Sequence, residues 1–212
     1  MKKERKRAYF FAAILTIVLY LAGIFTGVFI QRAEENQLKL KTEDLKRSIE
    51  NTQLEYFYLN SIGDKIPCSS LSILINETTE NVRKIGQELV EIEKSKENID
   101  SLKKEYSVLS VKGWLLNNYL KEKCYLNDHV ILYFYSVPCE KCIKQGNILD
   151  QLRENKVKNM KVFVLDVNVD EPIVQTLKKT YNITATPAII INEKKYEGLI
   201  QQEELEKLII KN

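Results

Sequence analysis

The spacing of apolar and polar positions changes twice along this chain. From Ala8 to Ile30 the run AYFFAAILTIVLYLAGIFTGVFI holds 23 residues without one charge. As a helix it would be roughly 35 Å long, enough to span a hydrocarbon core of about 30 Å. A helix buried in a protein core seldom stays uncharged on every face for so long. From Glu34 to Leu59 the apolar residues fall at Leu38, Leu45, Ile49, Tyr56 and Leu59. Those steps of three, four and seven predict an amphipathic helix continuing from the apolar run. Ile62-Gly63-Asp64-Lys65-Ile66-Pro67 should break it, because Gly and Pro together end helices. Ser69 or Ser70 can then cap the next helix.

Ile75, Val82, Ile85, Leu89, Ile92, Ile99, Leu102, Tyr106 and Leu109 carry a second helical stripe towards Lys123. One unbroken helix is compatible with it. Lys94-Ser95-Lys96-Glu97-Asn98 is polar throughout, however, and Ser95 or Asn98 could cap a second arm. A break there gives arms of 26 residues (Ser69–Lys94) and 25 residues (Ile99–Lys123), each about 38 Å long. Antiparallel arms of near-equal length return the chain to its start and set Cys124 beside Cys68. A continuous helix would hold those two cysteines far beyond the roughly 7 Å that a disulfide spans between Cα atoms. The hairpin closed at its base by a Cys68–Cys124 disulfide is the favoured reading, against two unpaired buried thiols.

After Asp128 the period shortens. His129 to Tyr135 (HVILYFY) is a continuous apolar, β-rich run of the kind found in central strands. Ser136-Val137-Pro138 turns the chain, and Cys139-Glu140-Lys141-Cys142 opens a helix through about Arg153. A second strand is predicted over Met160–Val169 and a second helix over Glu171–Tyr181. Thr186-Pro187 introduces a third strand, Ala188–Asn192, and Asn192–Lys195 turns into a short fourth, Tyr196–Leu199. Gln202–Ile210 is a terminal helix.

Composition sharpens this layout in a few places. The 32 basic and 29 acidic residues leave a net charge of +3, too balanced for a nucleic-acid binder. A single histidine makes a His-based metal site or a Ser-His-Asp triad improbable. Five basic residues and one acid in Met1–Arg7 precede the apolar run. That dense flank favours a cytoplasmic N-terminus, although Arg32, Lys39, Lys41, Lys46 and Arg47 equal it in number on the far side. The sequence thus divides into a basic cytoplasmic tail (1–7), a transmembrane helix (8–30), a helical stalk and antiparallel hairpin (31–127), and an α/β domain (128–212). The expected location is the cell membrane, single-pass, with the C-terminal domain extracytoplasmic. Cleavage as a signal peptide is the alternative, but the apolar region exceeds the usual 7–15 residues or so. Asn76-Glu77-Thr78 and Asn182-Ile183-Thr184 match the glycosylation sequon, a triplet too frequent to decide anything.

CxxC alone is shared with zinc ribbons. Here an apolar strand precedes Cys139, a helix follows it, Thr186-Pro187 lies about 45 residues on, and a hairpin and helix close the unit. Together these resemble the thioredoxin family over Asp128–Asn212, about 40% of the chain. The resemblance implies a thioredoxin-like fold with Cys139 as attacking thiol and Cys142 as resolving thiol. It also implies a cis Pro187 facing the pair and Thr186 offering backbone groups to an extended substrate segment. Independently, a cysteine at a helix start is where backbone N–H groups and the dipole favour a thiolate. A structural zinc site usually draws on two closely spaced pairs, and only one exists here.

The chain departs from thioredoxins proper, which carry Trp before the first cysteine, Gly-Pro between the pair and a buried Asp on the preceding strand. Those positions hold Pro138, Glu140-Lys141 and Tyr133. Glu140 disfavours and Lys141 favours a neighbouring thiolate, so oxidase, isomerase and reductase roles all stay open. His129 reads as a surface residue, and Tyr133, Phe134, Tyr135 and Trp114 as packing. The sequence therefore predicts a membrane-anchored thiol–disulfide oxidoreductase needing neither cofactor nor metal. Its partners would be cysteine-containing protein substrates, a redox partner protein and the membrane, with no nucleic acid. The alternative is a non-catalytic helical scaffold or adaptor whose thioredoxin-like part is only structural.

Overall fold

A computed structural model describes the backbone of residues 2–62, 65–94 and 99–211, and the side chains of 14–28, 32, 37–62, 65–93 and 99–211. Helix α1 runs over Lys2–Ile62, α2 over Cys68–Lys94 and α3 over Asp100–Cys124. Strand β1 (His129–Tyr135), helix α4 (Glu140–Asn155), strand β2 (Met160–Asp166) and helix α5 (Pro172–Thr180) follow. Strands β3 (Ala188–Ile191) and β4 (Lys194–Glu197) and helix α6 (Gln202–Lys211) complete the chain. There are two compact units, Met1–Asp44 and Leu45–Asn212.

In the second unit, the stripe of α1 is buried at Leu45, Ile49, Tyr56 and Leu59. Helix α1 ends at Ile62, and Gly63 and Asp64 of the predicted break lie outside the described residues. Helix α2 starts before the predicted serine caps. The carbonyl of Pro67 accepts from the amides of Ser70 (3.1 Å) and Leu71 (3.0 Å), which puts Pro67 at the cap and both serines inside the first turn. Ser95 and Asn98, the other predicted caps, lie outside the described residues. The N-cap of α3 is Ile99, with no side-chain cap bond. Arms of 27 and 25 residues pack side by side, and Asn117 donates to Thr79 Oγ1 across them at 2.9 Å.

The sheet has the order β2-β1-β3-β4. β1 runs parallel to β2 from His129↔Met160 to Tyr135↔Asp166, and antiparallel to β3. Two strand predictions need correction. β2 ends at Asp166, three residues early, because the Asp166 carboxylate accepts from the Asn168 amide (2.9 Å) and closes a side-chain-assisted turn. β4 starts at Lys194, two residues early, because Asn192 (φ 45°) and Glu193 (φ 64°) form a tight hairpin turn that pairs Ile191 with Lys194.

One face of the sheet packs Ile131, Tyr133, Ile189 and Ile191 under α4 and α6, against Leu149, Leu152, Leu205 and Ile209. The opposite face is covered by α3, the second hairpin arm. Its Ser110 hydroxyl donates to the Val164 carbonyl at 3.0 Å, on the edge strand β2. Gly113 allows the closest approach: a Cβ there would stand 2.5 Å from the Phe163 ring and from Tyr56 Oη. Trp114 packs edge-on against Tyr181, just past α5, with ring centroids 6.3 Å apart. Residues 68–124 are thus in the same unit as residues 128–212.

Candidate functional site

Five consecutive buried residues make β1 a rigid central strand, and it ends at the half-buried Tyr135. Ser136-Val137-Pro138 then leads to Cys139, which stands in extended conformation at the N-cap of α4. Its Sγ accepts from the Cys142 amide at 3.0 Å, as a capping side chain should. Cys139 and Cys142 form a disulfide, with Cα atoms 5.2 Å apart. Cys139 is half-buried and Cys142 only 4% exposed, so the outer sulfur is the accessible one.

Tyr133 lies beneath the pair and donates from its hydroxyl to the Cys142 carbonyl at 2.7 Å. Burial pushes this phenol well above its ordinary pKa, because a phenolate would be poorly solvated there. It is a hydrogen-bond donor at neutral pH and no base. Gln145, fully buried on α4, accepts from the Ile200 amide at 2.7 Å and ties the CxxC helix to the segment before α6.

The Thr186–Pro187 peptide bond is cis, as is Val137–Pro138. Thr186 Oγ1 lies 2.7 Å from Ser136 Oγ, which joins the loop before β3 to the turn entering the CxxC. Glu197 on β4 fastens that loop from behind, accepting from the amides of Thr184 (2.7 Å) and Ala185 (3.3 Å). The Thr184 amide bond is the main reason its carboxyl titrates below the usual range.

Of the residues expected from sequence, Cys139, Cys142, Thr186 and Pro187 are therefore linked to one end of β1. Cys68 and Cys124 are elsewhere, at the hairpin base, as a second disulfide with Cα atoms 5.7 Å apart. Sequence reasoning missed Ser136, Glu197 and the bond made by Tyr133. A lone serine in a turn and a glutamate in a short strand carry no local signal. Tyr133 stood out only as the wrong residue for a carboxylate.

An apolar cleft of about 580 Å³ adjoins the disulfide, with Cys139 and Cys142 in one wall and residues of α2 and α3 in the other. Among the described residues no group of three or more His, Cys, Asp or Glu is placed to hold a metal ion. Among them, too, no helix is long and apolar enough to cross a membrane. Side chains of 8–13 and of Phe29 and Ile30, within the expected span, lie outside the described residues.

A family model described as Thioredoxin matches residues 165–211. That stretch runs from the end of β2 through α6, includes Thr186-Pro187 and stops short of the CxxC. No curated protein matches the chain. A solved structure titled as a malarial protein is 20% identical over 40% of this chain and 96% of its own, with a TM-score of 0.34. Thioredoxin-2, a component of the malaria parasite protein secretion machinery, is 21% identical over 40% of this chain and 84% of its own, at 0.35. Chloroplastic thioredoxin z is 20% identical over 45% of this chain and 87% of its own, at 0.36. The matched segment, and the strand order into which it folds, make the C-terminal part of this chain a thioredoxin-like α/β domain behind a helical N-terminal region.

Proposed function

We propose that this protein is a membrane-anchored thiol–disulfide oxidoreductase acting on protein cysteines, with Cys139 as the exchanging sulfur and Cys142 as the resolving one. The observation that carries the reading is the placement of Cys139. It caps α4, is bonded to Cys142 and accepts the Cys142 amide. A sulfur so placed leaves and attacks readily, because the helix end stabilises its thiolate.

In the oxidised form a substrate thiolate attacks Cys139 Sγ, and the Cys139–Cys142 bond breaks with Cys142 leaving as thiolate. A second substrate thiolate then attacks the substrate sulfur of the mixed disulfide and releases Cys139 as thiolate. The substrate gains one disulfide, two electrons pass to the pair, and two protons are shared with solvent. The reverse sequence reduces a substrate disulfide. Thr186 and Pro187 would shape the groove for the substrate backbone. Membrane anchoring through 8–30, with the catalytic unit extracytoplasmic, is supported by the uncharged run and its basic flank. Described side chains of that run, from Ile14 to Val28, are solvent-exposed all round the helix.

Cys139→Ser should abolish exchange with a dithiol peptide. In Cys142→Ser the Cys139 thiolate should attack a peptide that carries a disulfide, expel one peptide sulfur as thiolate and stay trapped as the mixed disulfide. Parental activity in both variants would leave the scaffold reading in its place.

A further inference from the structure

The geometry points to the helical hairpin as one wall of the substrate site: the cleft beside the disulfide takes a large apolar side chain flanking the substrate's reactive cysteine. This rests on the exchange chemistry proposed above and assigns it a substrate class. Leu89 and Val90 of α2 and Tyr106 of α3 face Val137 and Ile143 of the CxxC segment, with Val164 of β2 between. Neither Thr186 nor Pro187 lines it, so it is separate from the groove for the substrate backbone. Val90 is 47%, Val137 50% and Ile143 66% exposed. A ring of exposed large apolar side chains around a reactive bond is what a binding surface presents.

Charge narrows the occupant. The ionised residues lining the cleft are Glu93 and Glu140, both acidic, and Glu93 is already paired with Lys103. An acidic flank would meet two carboxylates and no free cation there, and among the remaining flanks the apolar side chains of the lining select a neutral apolar one. The shape favours a length of chain over a small molecule. A second depression shares Gly86, Val90, Tyr106, Tyr133 and Val164 with the cleft and continues to Arg83 and Arg153. Extended protein, with its cysteine at Cys139 and its apolar neighbour on Leu89 and Val90, fits this trough.

The test uses the full chain in phospholipid nanodiscs and three cysteine peptides differing only in the residue beside the cysteine: Phe, Ser or Asp. The rate at which each opens the Cys139–Cys142 bond is read by thiol alkylation and mass spectrometry. Burying a large apolar side chain even in part makes the Phe peptide faster than the Ser peptide by about tenfold, with Asp slowest. Val90→Glu should bring the Phe-to-Ser ratio towards one. Ile73→Glu, on the same helix, 60% exposed and outside the cleft, should keep it. A ratio near one in the parental protein overturns the inference without any variant, and so does a ratio that survives Val90→Glu. A Phe preference that tracks reversible dimerisation of the chain would overturn it in favour of a second copy seated in the cleft. If neither the peptides nor dithiothreitol open the bond, the oxidoreductase reading itself fails.

Discussion

Removing the disulfide at the hairpin base should cost more stability than any surface change. Cys68 and Cys124 are 56 residues apart in sequence, and closing that loop is worth about 4 kcal/mol by chain-entropy arithmetic. The native state offers little to offset or enlarge the figure. Both cysteines are only half-buried, so serine hydroxyls there reach water and carry no desolvation cost. The hairpin is also held without the bridge. Asn117 bonds Thr79, Ser110 bonds the β2 backbone, and Trp114 rests on Tyr181. The loss thus falls on the unfolded chain, which gains freedom, while the folded unit keeps its shape. For a chain of about this size 1 kcal/mol moves Tm by about 2–4 °C, which predicts a fall of about 8–16 °C. The comparison is Cys68→Ser with Cys124→Ser against the parental protein. Circular dichroism follows both melts, with the Cys139–Cys142 pair oxidised in each. Exchange activity per folded molecule should be unchanged, since the bridge lies at the hairpin base rather than at the CxxC. A fall of under about 3 °C would show that the unfolded loop is already constrained and would refute the entropic argument.

Two further outcomes follow from single features. His129, the only histidine, titrates below its ordinary 6.5, first because of burial and then because of Lys121, with Asp128 and a backbone bond to Ile209 opposing. The unfolded chain then takes up the proton first, so stability is complete above about 6.5 and is lost as the pH drops through the depressed folded value. His129→Gln should flatten the stability profile between about pH 7 and 5, and an unchanged profile would assign that loss to other groups. For topology, protease added to cells stripped of their outer layers should digest the unit Leu45–Asn212. Digestion only after lysis would put the CxxC in the cytoplasm.

The legible parts of this chain are those in which one physical requirement acts at a time. β1 read correctly to the residue because HVILYFY is a central strand covered on both faces. The hairpin was legible from arm length, since equal arms alone bring Cys68 to Cys124. Less legible was the second duty of α3. Its sequence stripe of Leu102, Tyr106 and Leu109 suggests one buried face, yet Ser107, Ser110, Gly113 and Asn117 are buried as well. These are the residues that let α3 approach the sheet while it also contacts α2. Small and polar, they read as a solvated face in any hydrophobic pattern. The shared core of hairpin and sheet, and the cleft between them, were hidden by the same residues.

That shared core bears on how the pair would handle protons. The position under the CxxC, where a carboxylate could take a proton from the inner cysteine, holds Tyr133, and its phenol remains protonated at neutral pH. Its bond to the Cys142 carbonyl fixes the backbone of the inner cysteine and does nothing for the sulfur. Cys142 is nearly closed off, but it lines the cleft. On the proposed chemistry, the cleft is then the path by which water reaches its thiol. A substrate flank lying in the cleft would displace that water and slow the loss of the Cys142 proton until the flank withdraws. Binding and resolution would compete for one space, whose far wall is the hairpin.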